Sequence, residues 1–380
     1  MTRMERSKPY KVILWGPGYT GSQALREIAR RPELELVGCL AYSAAKAGRD
    51  AMELVGEPPC GVQVTTDKDA VYGLDADVVL YAGRALPDET SRHQEVAALL
   101  RSGKNVVTST AYFFPWQRGP QYVAPLEAAC AAGGTTLHGT GVHPGWFVER
   151  MAVTAMSLCT TVTSVSLREV CDLSHHAGEA IAGIGFGRDP GRLGSRTRKE
   201  ILSRYYFECI AGLAHLLGVR LDELTARVSY PVSQRQVDCA AVTIRPGTVG
   251  AVDGTWSGLI DGKPLITIRE IWYLDRDLVD PDIELTSADM YEIDIKGLPI
   301  DVRTRADLSV SDHTDVFGID DRQSAANLAT ATQLVQTIPA VVAAPPGILQ
   351  PPGFAYPAAD LRTITTPQPP HPAPIPETIY

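Results

Sequence analysis

Short apolar runs alternate with amphipathic segments along the first 145 residues. Five runs rich in Val, Leu and Ile are typical of strands buried on both faces of a parallel sheet. They cover residues 10–15, 35–41, 77–81, 105–108 and 135–138. Apolar residues at helical spacing predict helices over 22–31, 89–100 and 121–132. This alternation of strands and helices predicts an α/β fold with a doubly wound parallel sheet.

The pattern changes after residue 145. Helical spacing predicts helices over 144–158 and 196–217, and apolar–polar alternation predicts several strands. The predicted strands are 162–170, 236–244, 248–260, 265–274 and 291–295. Asp261-Gly262, between two of them, is a strong hairpin signal. We therefore expect a second, α+β domain over 146–319, and a last helix over 320–344 that completes the first domain, residues 1–145.

The C-terminal segment has a different composition. Residues 345–380 contain 11 of the 28 prolines of the chain, too many for a helix or a sheet interior. They predict an extended Pro-rich arm, either disordered or draped over a neighbouring subunit. The proline content by itself favours disorder, and four apolar residues count toward an ordered, packed arm: Ile348, Leu349, Phe354 and Tyr356.

Charge and composition exclude several classes of protein. The chain of 380 residues carries 35 Lys and Arg against 44 Asp and Glu, a net charge of -9, which argues against a nucleic-acid binder. No apolar run is long enough to span a bilayer, and the polar N-terminus does not resemble a secretory signal. The seven cysteines form no C-x-x-C pair, so we expect reduced thiols in a cytoplasmic protein. The histidines have no zinc-binding spacing, so no metal is predicted.

A glycine-rich loop follows the first predicted strand and opens the first predicted helix. In the pattern Gly16-x-Gly18-x-x-Gly21, the glycines allow a tight turn, close approach of backbone to a pyrophosphate, and close helix–strand packing. Residues 1–145 are therefore predicted to bind a dinucleotide. Other cofactor contacts are expected from the same loop and from the ends of the later strands: Pro17, Tyr19, Thr20, Ala82, Gly83, Thr108, Ser109, Thr110 and Gly141.

The end of the second strand bears on which dinucleotide binds. NAD-binding folds usually place a carboxylate there to hold the ribose 2′-hydroxyl. Residues 40–43 contain none, whereas Ser43, Lys46 and Arg49 follow and can donate hydrogen bonds to a 2′-phosphate. We expect NADP, with NAD as the alternative if Lys46 and Arg49 are solvated loop charges.

Three segments resemble the dihydrodipicolinate reductase-like superfamily, and most closely its branch of 2,4-diaminopentanoate dehydrogenases and native NAD(P)H-dependent amine dehydrogenases. They are the loop 16–21, residues 42–56 with their Ser and Lys-x-Gly-Arg-Asp, and 139–147, which is similar to the G-T-G-V-N-P-G-F segment of that branch. The resemblance covers residues 10–345. It implies a Rossmann fold, hydride transfer between a nicotinamide and a C=O or C=N carbon of a small to medium, largely apolar substrate, and a homodimer with the active site between the two domains.

The sequence departs from the branch at two places. His143 stands where the branch usually has Asn. The branch also has a glutamate, near the nicotinamide, in the loop after the fourth strand, whereas residues 109–116 contain no carboxylate. True dihydrodipicolinate reductases follow their His-His pair with a lysine, which is missing after His175-His176.

Hydride transfer also needs a proton donor or acceptor at the substrate. The candidates for this role are Tyr112, after the fourth strand, and His143, before a predicted helix; an aromatic core residue and a structural turn histidine are the alternatives. Residues expected around the substrate are mostly aromatic or ionisable: Phe113, Trp146, Phe147, Glu169, Asp172, His175, His176 and Tyr206.

Three hypotheses remain open from the sequence. The first is an NADP-dependent reductase of a carbonyl or imine, with Tyr112 or His143 as donor. The second is an amine dehydrogenase whose acid comes from elsewhere, for instance Glu169 or Asp172. The third is a non-catalytic NADP-binding sensor or scaffold.

Overall fold

The computed structural model describes residues 8–83, 89–176, 179–193, 195–310, 325–350, 358–359 and 374–379. The strands are β1 Tyr10–Trp15, β2 Leu34–Leu40, β3 Val64–Thr65, β4 Val78–Tyr81, β5 Asn105–Thr108, β6 Thr136–Gly139, β7 Thr161–Asp172, β8 Glu223–Ser229, β9 Val237–Asp238, β10 Thr243–Ile244, β11 Ala251–Ile260, β12 Lys263–Tyr273, β13 Asp289–Leu298, β14 Val302–Leu308, β15 Gly347–Ile348, β16 Ala358–Ala359 and β17 Glu377–Ile379.

The helices connect these strands and cover both sheets. The α-helices are α1 Tyr19–Ala29, α2 Lys68–Tyr72, α3 Glu89–Arg101, α4 Pro120–Gly133, α5 Val153–Met156, α6 Glu179–Ile184, α7 Ser195–Leu216, α8 Ala325–Gln336 and α9 Ile338–Ala343, and a π-helix, Val142–Ala152, leads into α5. Short 3₁₀ turns lie at Ala44–Lys46, Glu53–Val55, Pro115–Arg118, Pro190–Arg192 and Arg276–Leu278. No helix among these described residues is long and apolar enough to cross a membrane.

The first sheet has the order β15-β6-β5-β4-β1-β2-β3, and its strands run parallel. It is a doubly wound Rossmann-type sheet, as the apolar runs predict. β1 lies between β2 and β4, so the strand order reverses beside the loop that follows β1, where open α/β sheets bind their ligands. The sequence predicts five of the seven strands. β3 and β15 have two residues each, too few for a periodic pattern.

The second sheet is mixed and has eight strands, in the order β14-β13-β7-β12-β11-β8-β17, with β16 added beside β7. β7 runs parallel to β12 and antiparallel to β13. The predicted hairpin is confirmed, because Asp261 and Gly262 join β11 to β12 with φ angles of 50° and 70°. The single strand predicted over 236–244 is wrong: this segment folds back on itself as the short antiparallel pair β9–β10.

Helix α7 packs across one face of the second sheet and forms the largest core with it. Phe207, Ile210 and Leu213 of α7 are completely buried in this core. Within Val142–Ala152, His143 takes the non-helical angles φ −116° and ψ 117°, so the helical turns follow it and agree with the start predicted at residue 144. Helix α8 packs against α1 and returns the chain to the first sheet. The start of the predicted last helix, from 320 to 324, and most of the Pro-rich arm lie outside the described residues.

A buried carboxyl joins α7 to the loop after β5. Glu208 is 3 % exposed. One of its oxygens accepts the backbone N–H of Phe114 at 3.4 Å, and the other lies 3.6 Å from Arg118, which also binds Glu89 at 2.7 Å. Burial raises the pKa of Glu208 to about 7, and Arg118 only partly opposes this. The fold therefore favours the protonated carboxyl.

We expect Glu208→Gln to stabilise the protein at pH 8 but not below pH 4.5. A carboxyl whose pKa is raised on folding loses stability as pH rises from its unfolded pKa, about 4.5, to its folded pKa, about 7. Gln keeps the shape and cannot ionise, so the gain in free energy of unfolding at pH 8 is about 1–3 kcal/mol. Urea unfolding at both pH values measures it, with exposed Glu284→Gln as control. A loss of stability at pH 8 would contradict this account.

Candidate active site

The loop after β1 forms a tight backbone cradle. Gly16 has φ 94°, and a Cβ there would lie 2.6 Å from the carbonyl oxygen of Ala82. A Cβ on Gly21 would lie 2.1 Å from the carbonyl oxygen of Gly16. Gly18 differs, because its Cβ position is open space and no side chain caps α1 there. The cradle at the N-terminus of α1 therefore has room above Gly18 and fits a dinucleotide pyrophosphate.

The residues after β2 provide positive charge beside this cradle. The Lys46 ammonium donates to the carbonyl of Pro17 at 2.5 Å, so it is held against the glycine-rich loop. Ser43 directly precedes the 3₁₀ turn Ala44–Lys46, Arg49 follows it, and both side chains are exposed. Hydrogen-bond donors therefore lie where the 2′ substituent of the ribose is expected. Residues 40–43 place no carboxylate there.

The ends of β4, β5 and β6 complete this edge of the sheet. A Cβ on Gly83 would collide with the ring of Tyr81. The Thr108 and Thr110 hydroxyls share a hydrogen bond of 2.9 Å. Gly141 lies between two elements, because its Cβ position is 3.3 Å from Thr330 of α8 and 3.9 Å from Ser109. Tyr19 and Thr20 begin α1, and Thr20 contacts Asn327 of α8 at 3.3 Å. The predicted cofactor residues therefore line one continuous edge.

His143 stands directly after this edge, two residues beyond Gly141, and is held by a carboxylate of the second sheet. Its Nδ1 hydrogen bonds to Glu169 of β7, and both side chains are less than a tenth exposed. Among the described residues, the buried Nε2 of His143 has no hydrogen-bond partner. A carboxylate that accepts Nδ1–H fixes the tautomer with the free lone pair on Nε2.

Glu169 is fully engaged. One carboxyl oxygen binds His143, and the other accepts the indole N–H of Trp272 at 3.2 Å and the thiol of Cys171 at 3.3 Å. Burial by itself raises the pKa of Glu169, but the contacts with His143, Trp272 and Cys171 lower it further than burial raises it, so the net pKa lies below the ordinary value. Glu169 is therefore an ionised carboxylate aimed at His143.

Aromatic rings enclose the His143–Glu169 pair. Phe147 and Tyr206 lie with their ring centroids 5.3 Å from that of His143. The Tyr205 hydroxyl donates to the His143 carbonyl. Trp146 meets Tyr291 at 6.3 Å, and Tyr291 in turn meets Phe147. The structure thus brings together five of the predicted site residues, which are His143, Trp146, Phe147, Glu169 and Tyr206.

Tyr112 and Phe113 lie elsewhere. The Tyr112 side chain is fully buried in the core of the first sheet, with its ring 6.0 Å from those of both His93 and Tyr122. Phe113 packs toward α7, 3.1 Å from the Cβ position of Gly212. The geometry matches the alternative reading of Tyr112, an aromatic core residue, and His143 remains as the candidate proton donor or acceptor.

Asp172, His175 and His176 line a separate recess. Its volume is about 330 Å³, and Asp289 and Asp307 contribute to its walls. The His176 ring stacks on Tyr19 at 5.8 Å, so the recess lies against the phosphate-binding loop. No three His, Cys, Asp or Glu side chains in the described part of the chain are arranged to hold a metal.

One residue of the site, Glu270, was not found from the sequence, although it has a recognisable signal. It is an acid within the apolar run of β12, at a position where the strand alternation puts a side chain inside. Glu270 is completely buried beside Glu169, its register partner on β7.

Comparisons with known proteins show the family of this chain. The model of the 2,4-diaminopentanoate dehydrogenase C-terminal domain family matches residues 146–366. An amine dehydrogenase of Streptomyces virginiae is 30% identical over 273 residues, which are 68% of this chain and 74% of that protein. The chain belongs to this dehydrogenase family. It is an NAD(P)-dependent oxidoreductase of a small-molecule substrate, as the sequence predicts, and the family does not favour the non-catalytic alternative.

Two more distant relatives extend the similarity to nearly the whole chain. A 2,4-diaminopentanoate dehydrogenase of Acetoanaerobium sticklandii is 20% identical over 343 residues, 89% of this chain and 91% of that protein. The structure of an amine dehydrogenase from Mycobacterium smegmatis superposes with a TM-score of 0.74 and 19% identity, covering 93% of this chain and 99% of that chain. The fold of this family is therefore shared along both sheets.

Proposed function

We propose that this member of the family is an amine dehydrogenase, which oxidises a primary amine with NADP⁺ and forms the amine from a ketone and ammonia in reverse. One observation carries this proposal: Glu169 holds Nδ1 of His143, so that Nε2 is left without a partner at the dinucleotide edge. The relatives are named for amine substrates. The loop after β5, residues 109–116, has no carboxylate, and the His143–Glu169 pair supplies the ionisable groups of the site instead.

His143 would move the substrate proton. The bound nicotinamide supplies the hydride acceptor. An amine binds as its ammonium ion and must lose a proton before a hydride can leave its carbon; the Nε2 lone pair accepts that proton, and the Glu169 carboxylate stabilises the resulting imidazolium. Phe147, Tyr205 and Tyr206 exclude water around this step, which strengthens the His143–Glu169 interaction. The aromatic lining favours small to medium, largely apolar substrates.

Reduction of NADP⁺ at 340 nm tests the function. A panel of primary amines, including 2,4-diaminopentanoate, is compared with the alcohols of the same carbon skeletons. Reduction that depends on the amines supports the proposal. Reduction by the alcohols, with no response to the amines, would instead favour a carbonyl reductase that uses the same His143.

We further propose that NADP is preferred over NAD. Arg49→Ala is expected to raise the Kd for NADPH about tenfold to hundredfold, because a charge-assisted hydrogen bond to phosphate contributes about 1.5–3 kcal/mol. The Kd for NADH should stay within about twofold, since NADH has no 2′-phosphate. Fluorescence titration measures both constants, with exposed Arg227→Ala of β8 as control. An equal loss for NADH and NADPH would contradict the NADP preference.

A homodimer in the cytoplasm is the assembly that we propose. Leu158, Leu298 and Ile300 are 61%, 59% and 46% exposed at one end of the second sheet, and the carbonyl of Ile300 contacts Cys159, next to Leu158. Exposed apolar residues grouped in this way are typical of an interface. Light scattering after size exclusion distinguishes a dimer of the 41.0 kDa chain from a monomer.

A further inference from the structure

A second carboxyl lies beside the His143–Glu169 pair and has no assigned role. Glu270 of β12 is the register partner of Glu169 on β7, in a parallel pairing. Adjacent strands lie about 4.8 Å apart and register partners point to the same face. Glu270 and Glu169 therefore lie side by side on the face of the sheet that is turned toward His143.

Glu270 is buried and unpaired. It has no exposed surface, and neither of its carboxyl oxygens has a hydrogen-bond partner among the described residues. Burial, followed by the nearby Glu169, raises the pKa of Glu270 well above its ordinary value. A buried polar atom without a hydrogen-bond partner lowers the stability of the fold, and Glu270 has two such oxygens. A bound ligand that donates hydrogen bonds would remove this cost.

The neighbouring groups restrict what that ligand can be. Glu169 already binds His143, Trp272 and Cys171. Among the described residues, the unpaired atoms beside this pair are the two oxygens of Glu270 and Nε2 of His143. Burial favours the neutral Glu270 carboxyl, whereas a bound cation favours the carboxylate, and in that form all three atoms accept hydrogen bonds. A ligand with several N–H donors and a positive charge satisfies them, whereas an anion would be repelled by the Glu169 carboxylate.

The surroundings also suit a cation. The Tyr205 ring lies with its centroid 6.1 Å from that of His143, so its phenol borders this site. Trp272 projects from the strand that carries Glu270, and its indole reaches Glu169. Aromatic faces attract ammonium groups, most strongly where water is excluded.

We propose that Glu270 binds the ammonium nitrogen of the substrate and thereby selects nitrogen over oxygen substrates. This inference rests on the proposed amine dehydrogenase function and deepens it. The carboxylate that the family resemblance expects in the loop after β5 would have its counterpart on β12. Glu270 is then a specificity-determining residue, and His143 keeps the proton-transfer role.

Methylammonium chloride labelled with ¹³C is the probe, titrated by NMR into the full-length protein saturated with NADP⁺. We expect Glu270→Gln to weaken methylammonium binding about tenfold to hundredfold, the effect of losing one charge-assisted contact. Glu270→Asp keeps the charge and should bind more tightly than Glu270→Gln. The exposed Glu284→Gln should bind like the wild type, and acetate should bind to none of them.

Equal methylammonium binding by Glu270→Gln and the wild type would overturn the inference, as would no binding by the wild type or equally tight binding of acetate. If Glu270→Gln does not fold, the binding of methylammonium by Glu270→Asp and the comparison with acetate decide whether the inference holds. Failure of the proposed amine dehydrogenase function would look different. In that case the wild type binds methylammonium and Glu270→Gln does not, but the wild type oxidises no amine.

Discussion

Replacing His143 by alanine is expected to lower kcat for amine oxidation by about 10²–10⁴-fold, the usual contribution of a positioned general base. Among the described residues the Nε2 of this imidazole has no hydrogen-bond partner, and Glu169 holds the ring in the tautomer that accepts a proton. The Kd for NADPH should change by less than about threefold, because His143 follows the cradle residues and is not one of them. Steady-state kinetics and fluorescence titration on one preparation measure both.

Glu169→Gln is the matched control for this substitution. Gln keeps the size but cannot stabilise an imidazolium, so kcat should fall, but less than in His143→Ala. A variant His143→Ala that retains wild-type kcat would remove His143 from the chemistry.

Gly18→Ala is expected to weaken NADPH binding about hundredfold without affecting the fold. The Cβ position of Gly18 contacts nothing within 4 Å, and its φ of −88° is open to alanine, so the apo protein has no reason to lose stability. The methyl group would instead occupy the space above the first turn of α1, where the pyrophosphate approaches the backbone. A loss of about 2.7 kcal/mol of binding free energy corresponds to a hundredfold change in Kd.

Two other glycines give the contrast. Gly73→Ala, at an exposed position with only ordinary contacts, should change neither NADPH binding nor the melting temperature. Gly21→Ala should lower both, because its Cβ would lie 2.1 Å from the Gly16 carbonyl oxygen. Unchanged NADPH binding by a folded Gly18→Ala would contradict the assignment of residues 16–21 as the phosphate cradle.

The first sheet could be predicted from the sequence because its signals are local. A strand buried on both faces is a continuous apolar run, and the loop 16–21 stands directly between such a run and a helix. In the second sheet, β8 and β14 were missed. β14 alternates Val302, Thr304 and Ala306 with charged residues at the exposed positions, and so few strongly apolar residues give a weak pattern.

The sequence identified several residues of the candidate site but could not predict which of them contact each other. His143 and Glu169 were both identified, yet 26 positions separate them and their pairing depends on how the two sheets meet. Tyr112 was predicted from its place after β5. Its backbone takes φ 70°, and its side chain lies in the core. A positive φ at a tyrosine is rare, so the pattern of residue types could not predict this backbone conformation.

A double-label experiment tests the central claim most directly. The wild-type protein converts a ketone in the presence of ¹⁵N-ammonium and NADPH that carries deuterium at the transferred position, and mass spectrometry identifies the product. The account predicts a primary amine with ¹⁵N on the former carbonyl carbon and one deuterium on that same carbon. A deuterated alcohol, formed equally well without ammonium, would contradict it.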